Sequence, residues 1–229
     1  MSPDETSIKI LDTLTVKAAN KQKVFDNTLM VFNYLKEVLQ ELKAELNNKL
    51  KDYDKRIWLD FKDGGKFESE LKVAGDRLIF SMHSNIFEFD REHKVWELPY
   101  IQEDITRSYC GIINIYNFLN DSFKYNREDD LGYLIARIFI NKENHFFVEG
   151  KRQLGFGYKS FGKSVVDNEV LKEIIRTSIL YALEFDLLVP PYDTVKLSSV
   201  AIMQKKMQRS LQATGKRLGF RFNTDDISE

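Results

Sequence analysis

The sequence predicts an α+β protein with a long N-terminal helix, a mainly antiparallel sheet of about six to seven strands and C-terminal helices. Three patterns support this fold class. A helical period of apolar residues covers residues 23–53, a period of two follows over residues 56–90, and a helical period returns over residues 167–188. The length of 229 residues, with 43% hydrophobic and 30% charged residues, is typical of a folded globular chain.

The first helix carries a heptad pattern that allows two interpretations. Its a and d positions hold Phe25, Phe32, Leu35, Leu39, Leu42, Leu46 and Tyr53, with breaks at Thr28 and Lys49. The apolar stripe is wide before Gln40, as on a helix docked on its own domain, and narrows afterwards to a coiled-coil-like seam. We expect residues 1–54 to pack on the same domain. The alternative is protein binding or self-association through residues 24–53, and residues 8–17 fit either a helix or a strand.

The predicted sheet occupies most of residues 55–192. Strand patterns cover residues 56–62, 66–73, 77–83, 85–90 and 109–119, the last of which also suits a helix, and residues 131–140 and 145–149 form a hairpin pattern around a turn at 141–144. A three-residue loop at 63–65 would place Phe61 beside Phe67. Because the loops are short, we expect antiparallel pairing. The helix predicted at 167–188 should end before Pro190.

Positive charge is concentrated in the C-terminal region, residues 193–229. Residues 196–221 contain seven Lys and Arg residues and no acid, although the net charge of the whole chain is −1. Residues 200–213 have the pattern of an amphipathic helix with one basic face, followed by an acidic tail. Such a helix can bind phosphates, and the alternative is an ordinary solvated helix face.

The sequence gives little support for catalysis or metal binding. Cys110 is the single cysteine, which excludes an internal disulfide and fits a reducing compartment, so we expect a cytoplasmic protein. His83, His93 and His145 lack the paired spacing of a metal site. No apolar stretch approaches the roughly 18 to 20 residues of a membrane span. We expect no catalytic residue, metal or cofactor.

Residues 150–164 form a loop with an unusual composition of four glycines, four Lys or Arg residues and no acid. Residues 157–164 match the phosphate-loop pattern G-x-x-x-x-G-K-[ST], which requires a preceding buried parallel strand. The overlapping segment Gly155-Phe156-Gly157-Tyr158, with Phe161, resembles the RNP1 box of RNA-recognition domains, which implies aromatic stacking on bases. Leu154 and Lys159 depart from that box, and the expected companion strand is missing.

A second enzymatic alternative involves the first predicted hairpin. Asp60, Glu70 and Lys72 would share one face, which is the residue set of a metal-dependent nuclease core. Alternating Lys and Glu residues are also typical of an exposed sheet face.

The sequence therefore favours a non-enzymatic binding protein whose basic segments contact a polyanion, with nucleic acid as the first candidate partner. The alternatives are a protein-interaction module and the two enzymes described above. The predicted contact residues are Lys151, Arg152, Phe156, Tyr158, Lys159, Lys163, Lys205, Lys206, Arg209, Lys216, Arg217 and Arg221.

Overall fold

The computed structural model describes residues 3–150 and 161–187, with the shorter stretches 189, 191–196, 199–200 and 204. Its helices are α1 (Pro3–Asp12), α2 (Ala19–Lys49), α3 (Pro99–Glu103), α4 (Asn120–Lys124), α5 (Asn168–Leu183) and α6 (Tyr192–Val195). Its strands are β1 (Asp60–Asp63), β2 (Glu68–Val73), β3 (Asp76–Met82), β4 (Gly111–Leu119), β5 (Tyr133–Ile140) and β6 (Phe146–Gly150). A π-helical stretch, Thr13–Ala18, joins α1 to α2.

The six strands of the described chain form one sheet in the order β1-β2-β3-β4-β5-β6. Each strand pairs antiparallel with the next. This topology follows from the short connections, since an antiparallel pair can be joined by a tight turn. The α+β prediction is confirmed, including the strand at 109–119 and the hairpin formed by β5 and β6.

The strand predicted at 56–62 begins later than expected and the strand predicted at 85–90 is absent, because side chains accept hydrogen bonds from backbone amides there. Asp54 accepts a hydrogen bond from the Arg56 amide, which turns residues 55–57 into a 3-10 helix and delays β1 to Asp60. Around the predicted strand 85–90, the His83 ring accepts from the Asn85 amide and Asp90 accepts from the Glu92 amide. Phe87 makes only an isolated bridge to Cys110. Such local bonds compete with ladder pairing.

The register of the first hairpin differs from the prediction by four residues. Phe61 lies opposite Leu71 and not beside Phe67, because the chain reverses after Gly64, whose amide donates to Glu68. Gly65 supports this turn with φ +100°, a conformation that glycine adopts without a steric penalty. A shift of four residues is an even number, so each side chain stays on its predicted face.

The apolar stripe of α2 packs on one face of the sheet. Phe32, Leu35, Leu39 and Leu42 are fully buried in one core with sheet residues such as Phe80. Lys36, also on α2, pairs its ammonium group with Asp63 of β1 at 2.6 Å. Helix α2 is therefore docked on the sheet of its own chain, whereas residues 4–17 of the predicted segment 1–54 are exposed. The seam proposed for self-association is occupied within the chain, apart from its last position, Tyr53, which is 65% exposed.

Helix α5 covers the same face beside α2. Its buried positions include Leu171, Ile174, Ile175, Ser178 and Ala182, as the sequence predicted. The predicted last residue, 188, is wrong, because the helix ends at Leu183. The last turn tightens, with the Phe185 amide donating to Ala182, and Phe185 packs against the core. The predicted helix at 200–213 lies almost entirely outside the described residues, so the division at residue 193 stays a prediction.

We expect Leu39→Ala to lower the free energy of unfolding by about 2–5 kcal/mol, since it leaves a cavity between α2 and the sheet. Tyr53 lies in the same heptad frame but is exposed, so Tyr53→Ala should change that energy by no more than about 0.5 kcal/mol. Urea titration of both variants measures the difference. Equal losses would show that the heptad frame is not the docking face.

Candidate functional site

The structure describes only one of the predicted contact residues. Lys163 lies on the exposed surface, just before the isolated bridge between His145 and Val165. The other predicted contacts lie outside the described residues: Lys151, Arg152, Phe156, Tyr158, Lys159, Lys205, Lys206, Arg209, Lys216, Arg217 and Arg221. The two ends of the glycine-rich loop, at Gly150 and at Phe161, are described and define the candidate site.

The surroundings of residues 157–164 do not fit a phosphate loop. The strand that precedes them, β6, pairs antiparallel with β5. A phosphate loop requires a buried parallel strand that leads directly into the loop and a helix. The described surroundings therefore do not support the phosphate-loop hypothesis, and residues 151–160 lie outside the described residues.

The ion pairs of the first hairpin do not support the nuclease hypothesis, although Asp60, Glu70 and Lys72 share one face as predicted. Asp60 lies opposite Lys72 and its carboxylate contacts Lys43, whereas Glu70 lies opposite Lys62. Glu70 is paired with both Lys62 at 3.2 Å and Arg77 at 2.9 Å. Its carboxylate is thus neutralised by two cations. Within the described residues, no group of three or more His, Cys, Asp or Glu side chains could hold a metal ion.

The returning end of the glycine-rich loop is fixed to the body by Phe161 and Gly162. Phe161 is buried and packs edge-on against Tyr100 and Phe147, with ring centroids 5.7 and 5.2 Å apart. Gly162 has φ +91°, and a Cβ added there would lie 2.4 Å from the Tyr100 ring. Only glycine allows both this backbone conformation and this close approach. The chain is therefore fixed just before Lys163.

The hydroxyl group of Tyr100 is the centre of this anchor. It donates to Glu143 Oε2 at 2.7 Å and accepts from Asn141 Nδ2 at 2.8 Å. His145 Nδ1 lies 2.7 Å from the same oxygen. Because the one hydroxyl proton is directed to Glu143, His145 Nδ1 must be the donor in its bond. Burial raises the pKa of Tyr100 well above its ordinary value, so the hydroxyl keeps the proton that this arrangement needs.

Arg107 supports the anchor from the side. Its guanidinium group lies 4.4 Å from the centroid of the Tyr100 ring, donates to Glu143 Oε1 at 3.1 Å and donates to the Tyr100 carbonyl at 2.9 Å. It also pairs with Glu103 at 3.0 Å. Because the guanidinium group already forms these internal contacts, Arg107 is a poor candidate for binding an external anion.

The β5–β6 turn presents these side chains because Asn141 shapes it. The buried Asn141 side chain accepts from the amides of Glu143 and His145, at 2.9 and 3.1 Å, which forms an Asx turn. Asn144 completes the turn with φ +61°. Asn27 of α2 donates to the carbonyls of Asn141 and Lys142, so the turn is also tied to the long helix.

A second ion pair holds the turn to the segment that follows α3. Lys142 Nζ donates to Asp104 and, at 2.6 Å, to Thr106 Oγ1. The hydrogen bond from Lys142, together with those from Thr106, lowers the pKa of Asp104 from 3.8 to about 2. The turn is therefore held by an ion pair that survives into strongly acidic conditions.

The side chains around Tyr100 form a hydrogen-bonded platform that holds the end of the loop. The tyrosine, histidine, glutamate and arginine side chains would suit acid–base catalysis, but each is engaged by at least one of the others. Cys110 is fully buried, and burial raises its pKa, so it cannot act as an accessible thiolate. His93 accepts a hydrogen bond from the Val95 amide and caps a turn.

A small cleft of about 220 Å³ lies beside the described start of the loop, between the segment 87–93 and strands β4, β5 and β6. Its lining includes Phe89, His93 and Phe139, with Glu149 at the rim. The cleft is smaller than the roughly 300–1,000 Å³ typical of small-molecule sites. It suits one flat ring or side chain.

Sequence reasoning found the loop but missed its anchor. The side chains of the anchor come from two groups that lie about 40 residues apart in the sequence, and neither group has a local motif. The first group is Tyr100 and Arg107, and the second is Asn141, Glu143 and His145. The one available signal was the Asn141 to Asn144 turn, which predicted the hairpin but not its partners.

No family model, curated protein or solved structure is significantly similar to this chain. No helix within the described ranges combines the length and the hydrophobicity needed to cross a membrane.

We expect Asp104→Asn to destabilise the protein in a pH-dependent way. The folded-state pKa of Asp104 lies below its ordinary value of 3.8, so its carboxylate stabilises the fold above that pH, and this stabilisation is lost as the pH falls through about 2. The difference in unfolding free energy between the two proteins should be constant near neutrality and shrink below pH 3.8. Denaturant titrations over this pH range measure that difference. Its dependence on pH should become weaker when both proteins also carry Lys142→Met, which removes the partner cation. A difference that stays constant down to pH 2 would contradict the ion pair.

Proposed function

We propose that this protein is a non-enzymatic binding protein whose glycine-rich loop, residues 150–164, and basic segment, residues 196–221, contact single-stranded nucleic acid. Glycines admit close approach of a backbone, aromatic side chains stack on bases, and Lys and Arg neutralise phosphates. The two segments contain no acid, unlike the rest of the chain. Their composition therefore matches a polyanion better than a neutral ligand.

The observation that supports this proposal most strongly is the anchor at Phe161 and Gly162. Recognition loops are commonly held on a rigid scaffold, and this loop returns to a platform of interlocked side chains around Tyr100. Lys163 follows immediately and is exposed. A fixed return point reduces the conformational entropy that the loop would lose on binding.

The ion pairs around the described ends of the loop support a binding role for the loop itself rather than for its surroundings. Arg107 and Lys142 are paired with acids at the platform, and Arg137 is paired with Glu149 beside the loop. A neighbouring carboxylate offsets the charge of each of these cations, which weakens its attraction for a further anion. Around the platform, the loop and residues 196–221 are therefore the better candidates for an electrostatic contact.

Binding of a single-stranded oligonucleotide should weaken steeply with salt. Six neutralised phosphates on a single strand would give a log–log slope of about −4. A triple variant, Arg152→Ala, Lys159→Ala and Lys163→Ala, should reduce that slope by about 2. Fluorescence anisotropy over a salt series measures both slopes.

The matched control replaces three exposed lysines, Lys49, Lys51 and Lys55, by alanine at the other end of α2. Residue 49 lies about 33 Å along the helix from residue 27, which contacts the platform. The control should leave the slope unchanged. No binding at low salt would refute the proposed function, and an unchanged slope in the loop variant would show that the loop is not the contact.

A further inference from the structure

The N-terminal helical arm, residues 3–18, has an apolar side that nothing in the described chain covers. Ile8, Ile10, Leu11, Leu14 and Val16 are all 54 to 67% exposed. The arm continues α2 without a break and extends about 24 Å beyond it. Isolated exposed apolar residues are normal on a protein surface, but five large ones on four turns of helix mark an interaction surface.

The apolar residues of the arm form one stripe. Ile8, Leu11, Leu14 and Ala18 follow the spacing of three to four residues that places side chains on a single helix face. Ile10 borders this face, whereas Val16 lies away from it in the π-helical stretch. A stripe of this width fits a partner helix.

The charges of the arm exclude two kinds of partner. Residues 3–18 hold Asp4, Glu5 and Asp12 against Lys9 and Lys17, which leaves the arm with a slight excess of acid. Helices that lie on anionic membranes have polar faces rich in Lys and Arg. A nucleic-acid contact likewise needs excess positive charge. The arm therefore fits another helix better than a lipid or phosphate surface.

The two ends of the arm carry opposite charge. Asp4 and Glu5 lie in the first turn, and Lys17 and Lys21 lie at the root, with their ammonium groups 5.8 and 5.3 Å from the Tyr109 ring centroid. Two such arms in antiparallel orientation bring each acidic end to the basic root of the other. A parallel pair would bring like charges together. The arm is therefore self-complementary in one orientation.

We infer that the arms of two copies of this chain pair antiparallel and form a dimer. With Leu11 on the two-fold axis, Ile8 of each copy lies opposite Leu14 of the other, as an isologous interface requires. The tip of one arm then reaches the root of the other. Ile105, 64% exposed, adjoins that root, because Asn20 donates to the neighbouring Thr106 carbonyl at 3.2 Å. This surface is separate from the buried seam of α2.

Disulfide trapping of the full chain tests the orientation. A Leu11→Cys variant should form a covalent dimer on mild oxidation, because the two thiols meet at the axis. An Ile8→Cys variant should not link to itself, since the two copies of residue 8 are about 9 Å apart along the helices, beyond the roughly 7 Å limit for a disulfide. Mixing Ile8→Cys with Leu14→Cys should restore linkage. Cys110 is fully buried and does not compete.

Efficient linkage of Ile8→Cys to itself would indicate a parallel pair and overturn the inference. Light scattering gives the independent test: the native chain should be a dimer, and Leu11→Asp with Leu14→Asp should be a monomer with native circular dichroism. Leu131→Asp, at a site that is 73% exposed on the body, is the matched control and should remain dimeric. A native chain that is strictly monomeric at millimolar concentration would also overturn the inference.

Discussion

The apolar stripe of α2 lies against one face of the antiparallel sheet, and the positions of the other elements depend on that contact. Phe32, Leu35 and Leu39 form one core with the sheet residues Leu78 and Ile115. Polar side chains near both ends of α2 fix the helix along the sheet. Asn27 donates to the β5–β6 turn, and Asn47 exchanges two 2.8 Å hydrogen bonds with the backbone of Leu59, just before β1. Apolar burial supplies the stability and these amides set the position of the helix.

The same docking positions the candidate site. Because Asn27 holds the β5–β6 turn, the side chains of Asn141, Glu143 and His145 meet at the Tyr100 hydroxyl. Phe161 and Gly162 then close on the Tyr100 ring. The site depends on a series of contacts from α2 to the glycine-rich loop, and its charged side chains pair with one another. This arrangement favours a scaffold that presents a loop over a catalytic centre.

The hydrophobic period and the charge pattern of the sequence predicted the helices and strands whose position is set by the burial of apolar side chains. The buried face of α5 and the docked part of α2 were correct because apolar spacing reports directly which side faces the core. The first hairpin register was wrong because turn position depends on the conformation of Gly65, which composition does not reveal. The strand predicted at 85–90 failed because His83 and Asp90 bind nearby amides. The Tyr100 anchor could not be predicted, since its members come together only through tertiary structure.

The docking of α2 can be tested directly by native-state hydrogen exchange. If α2 and the sheet form one cooperative unit, the amides of Leu35, Leu39 and Leu42 should exchange with the same opening free energy as those of Ile113 and Ile115 in β4, equal to that of global unfolding. All of these residues are buried in one core. Exchange of the α2 amides through much smaller openings, while β4 stays protected, would contradict the account.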